Sequence, residues 1–131
     1  MKILACQIEV PNVVTARQRD EHVGLIAAQI KSHIEEAGGV DLAVLPELST
    51  ITYSKDAFEN LGELAEDLNG PSFTTFSEVA RKTGAYICFG MPRRDEDGTF
   101  RISQVVIDNK GQLVGHYDKM HIAQFGESIE K

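Results

Sequence analysis

The chain has 131 residues, 42% of them hydrophobic and 25% charged, with a formal net charge of −7. That is one domain's worth of chain, or part of a larger domain, with enough apolar content for a core. The acidic balance and scattered Lys and Arg exclude the basic stripe of a nucleic-acid binder, and no apolar run approaches the roughly 18 residues that span a bilayer.

The elements follow in order. Lys2 to Val10 is rich in apolar residues and reads as a buried strand, ended by Pro11-Asn12. From Thr15 to Ala37, Val23, Ile26, Ala27, Ile30, Ile34 and Ala37 recur at three- and four-residue steps, the stripe of an amphipathic helix. Gly38-Gly39 closes it. Val40 to Leu45 is nearly all apolar, as suits a strand covered on both faces of a parallel sheet. Ser54 to Leu68 predicts one helix, and Pro71 opens another that runs to about Lys82 and ends at Gly84.

Ala85 to Met91 is a third strand. Arg93-Arg94, followed at once by Asp95-Glu96-Asp97, reads as part of a solvated turn, with Asp97-Gly98 as the hairpin signal. Ile102 to Ile107 is a fourth strand, Asn109-Lys110-Gly111 a tight turn, and Gln112 to Tyr117 a fifth strand that delivers the chain to Lys119. The β-α-β-α-α-β-β-β order implies an α/β fold with right-handed crossovers and a mixed sheet.

Two segments, 72 positions apart, draw attention to chemistry. Val44-Leu45-Pro46-Glu47 is an apolar run that ends in a carboxylate, at the strand end where open α/β sheets build sites. His116-Tyr117-Asp118-Lys119-Met120-His121 places a lysine among apolar and aromatic residues. Together they suggest a buried Glu/Lys site. Burial would push the Glu47 carboxyl toward the range of a general base, and Lys119 beside a carboxylate would stabilise an oxyanion. Taken alone, each residue favours a structural reading: a helix cap or loop carboxylate, a surface lysine. His121 takes a supporting role at most. Cys6 and Cys88 lie in strand-like runs without metal spacing or a basic neighbour and read as packing residues. The short apolar start meets a polar residue too early for a signal peptide, so the expected setting is the reducing cytoplasm. Nothing suggests a metal or an organic cofactor, a membrane or a nucleic-acid partner.

In this order, the Lys2–Gln7 strand, the Leu-Pro-Glu strand end, Gly70-Pro71, the Ala85–Gly90 strand and the Tyr-Asp-Lys-Met-His segment resemble the N-terminal half of the nitrilase (carbon–nitrogen hydrolase) superfamily. The resemblance covers essentially the whole chain. It implies part of an α-β-β-α sandwich with a mixed sheet flanked by helices, and residues 1–131 as a single, incomplete N-terminal portion of the domain. It implies Glu47 as general base, Lys119 as the stabiliser of the tetrahedral intermediate, Glu130 (with Glu127 as a rival) as a further glutamate, and Tyr53 as a substrate-side aromatic. The expected reaction is hydrolysis of a small non-peptide amide or nitrile by Glu/Lys/Cys covalent catalysis. Neither cysteine matches the nucleophile, which is expected beyond Lys131. Homo-oligomers are also implied, and an isolated half should leave a large apolar face exposed. The competing readings are a non-catalytic remnant or assembly module that keeps the half-fold, and a small independent α/β binding domain.

Overall fold

The computed structural model describes residues 1–122, of which 120–122 as backbone only. Nine elements follow in chain order: β1 (Ile3–Ala5), α1 (Ala16–Glu36), β2 (Leu42–Val44), α2 (Lys55–Glu59), α3 (Leu61–Leu64), α4 (Pro71–Thr83), β3 (Tyr86–Arg94), β4 (Phe100–Ile107) and β5 (Leu113–Ile122). The strands form one sheet in sequence order, with β1-β2-β3 parallel and β3-β4-β5 antiparallel.

Local sequence starts and stops the helices. Thr15 accepts from the Gln18 backbone N–H, and the Gln18 side chain returns to the Thr15 backbone, a capping box that opens α1. Pro71 occupies the first turn of α4, and Gly84, at φ +74, provides its left-handed end. The inward stripes of α1 and α4 meet one face of the sheet. Val23, Ile26, Ile30, Ile34, Phe76 and Val79 pack there on Ala43, Ile87, Phe89, Val105 and Ile107. Phe76 and Phe89 contact at 4.6 Å between ring centroids, in a tilted pair. A second cluster joins Val13, Ile51, Phe58, Leu61 and Leu64 to Ile102, which strand alternation puts on the opposite face from Val105 and Ile107.

Tertiary demands modify several expectations. The single helix expected over 54–68 is two short ones. Asn60 leaves helical geometry at φ −111 and donates its side-chain amide to the Val14 carbonyl, and Glu66 turns extended to bridge Arg93. The expected Lys2–Val10 strand is regular only over β1, because its partner β2 is three residues long. β5 runs past Tyr117, because β4 offers it a partner as far as Phe100. Lys119 therefore lies inside a strand rather than after one. No helix among the described residues is long and apolar enough to cross a membrane.

Candidate active site

Glu47 follows β2 by three residues. Leu45 N–H still bonds the Cys88 carbonyl at 2.8 Å, and the chain then turns over β3. Ser49 N–H donates to the Gly90 carbonyl at 2.9 Å, Ser49 Oγ donates to the Pro46 carbonyl at 2.6 Å, and buried His22 Nε2 lies 2.8 Å from the Ser49 carbonyl oxygen. The turn is thus tied to β3 and to α1. Gly90 makes the crossing possible: a Cβ built there would fall 1.6 Å from the Glu47 carbonyl oxygen. Glycine is required here for the closeness of two backbones.

Lys119 reaches the same place from β5. Ser103 pairs with Asp118 and Ile102 with Met120, so Lys119 is an extra residue opposite no partner, a β-bulge. Two strand spacings separate β5 from β3, about 10 Å. Two long side chains span that gap, and Lys119 Nζ donates to Glu47 Oε2 at 3.0 Å. The pair was required by the sequence reading, but its burial was not met: the side chains are 47% and 44% exposed for Glu47 and Lys119. The reason is geometric. The Glu47 carbonyl crosses the side of Gly90 that faces away from α1 and α4, and the described residues leave both side chains of the pair partly open there.

Neither cysteine joins the pair. Cys88 Sγ accepts from Gln104 Nε2 at 3.3 Å. Cys6 follows β1, and partial burial pushes its thiol up from the ordinary value, away from a reactive thiolate. Tyr53 is exposed, and its ring contacts Phe58 at 5.0 Å, without a hydrogen bond to Glu47 or Lys119. Glu127 and Glu130 lie outside the described residues, as does the side chain of His121.

One expectation near the site is overturned. Arg93 does not belong to a solvated turn. It is 6% exposed and held by Ser103, Asp95 and Asp118. Its acidic partners stand two residues on in sequence and 25 residues away on β5. The first was read as solvation, and the second is not visible locally. Asp118 was within the quoted motif, but its role depends on Arg93. Partial burial raises the Asp118 carboxyl, yet hydrogen bonds from Ser103, Arg93 and His116 outweigh this and hold it below the ordinary value.

The family model described as carbon–nitrogen hydrolase aligns with residues 3–131. The chain belongs to the carbon–nitrogen hydrolase (nitrilase) superfamily. Among its relatives, this carbon–nitrogen hydrolase chain is 38% identical over 92 residues to a nitrilase of Pyrococcus abyssi, covering 68% of this chain and 34% of that protein. It is 37% identical over 92 residues to a protein of Pseudomonas protegens described as a hydrolase in the pqqF 5′ region, covering 70% and 31%. The crystal structure of a carbon–nitrogen hydrolase from Helicobacter pylori superposes with a TM-score of 0.74 at 22% identity, over 98% of this chain and 42% of that one. That likeness establishes the α/β fold with its mixed, helix-flanked sheet. The chain spans about a third of the length of the curated relatives it matches.

Proposed function

We propose that the protein hydrolyses a small non-peptide amide or nitrile through a covalent thioester, with Glu47 as the base and Lys119 as the oxyanion stabiliser. The observation that carries this reading is the Glu47–Lys119 contact at 3.0 Å, made by residues 72 positions apart. A half-exposed ion pair contributes only about 0–1 kcal/mol to stability. Fold stability therefore does not account for a Gly90 contact, a braced turn and a bulge that all serve one pair.

The chemistry follows from the groups. The Glu47 carboxylate accepts a thiol proton, and the thiolate attacks the amide or nitrile carbon. The Lys119 ammonium faces the negative charge that develops on the substrate heteroatom. For an amide, the proton held by Glu47 passes to the departing amine, leaving a thioester. Water, deprotonated by Glu47, then releases the acid and restores the thiol. Cys6 and Cys88 make no hydrogen bond to the pair, which supports a thiol supplied from outside residues 1–131, the reading under which these residues form the N-terminal portion of the domain.

The test is an ammonia-release assay on the protein encoded by the whole reading frame, against a panel of nitriles, primary amides and N-carbamoyl amines. Turnover is expected on at least one class, with Glu47→Gln and Lys119→Met each lowering kcat by at least about 10²–10³-fold. Full activity in both variants would remove the pair from the mechanism. An inert whole protein would favour the non-catalytic assembly module.

A further inference from the structure

Three side chains from three adjacent strands meet just before the bulge. Arg93 on β3 donates from Nη2 to Asp118 Oδ2 at 2.9 Å and from Nε to Ser103 Oγ at 3.2 Å. Ser103 on β4 donates from Oγ to Asp118 Oδ1 at 2.6 Å. Outer groups complete the charge balance: Asp95 accepts from Arg93 and from Arg101, and His116 Nδ1 lies 3.1 Å from Asp118 Oδ1. Strand alternation puts Arg93, Ser103 and Asp118 on the same face as Phe89 and Val105, behind the Glu47–Lys119 pair.

This arrangement is costly to bury. A guanidinium taken out of water is often replaceable by apolar groups without loss of stability, so the network is a weak device for stability alone. Its location points elsewhere. Asp118 is the residue of β5 paired immediately before the bulge, and Lys119 follows it opposite no residue of β4. The extra residue of a bulge is the least constrained part of a ladder. The ion pair that Lys119 makes is too exposed to fix its own backbone.

We propose that Arg93, Ser103 and Asp118 are positioning residues that lock β5 ahead of the bulge and so hold the Lys119 ammonium on Glu47. The lock takes its purpose from the hydrolase reading, while its geometry is independent of it. Arg93 on Oδ2 and the short Ser103 bond on Oδ1 fix Asp118 from two strands at once, which transmits the register of β3 and β4 to the peptide that carries Lys119.

Carbodiimide coupling of the intact chain tests this, because it joins a carboxylate to an amine only where they touch. Peptide mass spectrometry reads the Glu47–Lys119 product against Glu78–Lys82, an ion pair within α4 at 2.8 Å that serves as reference. In Ser103→Ala and Asp118→Asn the relative Glu47–Lys119 yield is expected to fall about threefold or more, as for coupled neighbours. In the protein encoded by the whole reading frame, if it turns over substrate, the same variants are expected to lower kcat by up to about 10²-fold at unchanged KM, the cost of a small misplacement. Unchanged relative yields in folded variants would make the network purely structural and overturn the proposal. So would failure of Ser103→Ala to fold, or absence of the Glu47–Lys119 product in the unaltered chain. An inert protein from the whole reading frame, with the expected cross-linking pattern, would sink the hydrolase reading and leave the lock standing.

Discussion

Glu66 illustrates how far a single residue's setting can depart from its type. It is buried in the α3–α4 connection, accepts from Ser72 N–H at 2.8 Å and Ser72 Oγ at 2.6 Å, and faces Arg19 Nε at 3.6 Å. Burial pushes its carboxyl above the ordinary value, although Ser72 and Arg19 pull the other way. The unfolded chain therefore releases this proton first. The contribution to stability is intact below the unfolded value, near 4.5, and is lost as pH rises through the folded one. Asp95 works in the opposite sense in a separate window: Arg101 above all holds it at about 2, so its contribution is lost as pH falls below 3.8. Urea midpoints measured across pH should show stability falling above 4.5, with Glu66→Gln flattening that fall. Parallel curves for the two proteins would disprove the assignment. None of this was legible in the sequence. Glu66 falls inside the segment that reads as one helix, like any carboxylate on a helix surface, and Arg93 stands close to three acidic residues like a surface group. Their burial is decided by partners on other elements.

At the scale of elements, the strands and the two long helices were legible because their apolar periods and punctuation agree: Thr15, Pro71, Gly84 and Gly38-Gly39 all sit where the helices begin or end. The 54–68 segment was misread because its helical stripe competes with the Asn60 tether and the Glu66 bridge. The approach of the Glu47 turn to β3 was not legible either, since Gly90 in an apolar strand looks like any weak strand position. Its consequence is measurable. Gly90→Ala puts a methyl group into the Glu47 backbone, and neither strand nor turn can shift freely. A loss of about 1–3 kcal/mol is expected, typical of overpacking at a closed site, with the midpoint of urea unfolding as the measure. A variant as stable as the parent would show that the turn lies off β3.

For the whole molecule, one face of the sheet carries α1 and α4, and the other is covered around Ile102 by the α2–α3 cluster while leaving large apolar side chains exposed. Ile3, Tyr86 and Tyr117 are exposed there, on the face where a four-layer sandwich needs its second sheet. The Glu47–Lys119 pair lies on this face, which explains why the sequence suggested a buried site and the described residues leave it half open. The order of the strands has one more consequence, for time rather than space. β3, β4 and β5 are joined by tight turns, whereas β1 and β2 each need a helical crossover before they find a partner. Short loops close early and long ones late. Pulse-labelled hydrogen exchange during refolding is therefore expected to protect amides of the β3–β5 meander before those of β1 and β2; simultaneous protection would contradict it. The lysine is then in place before its glutamate arrives, and closing the 72-residue gap between them is among the last events of folding.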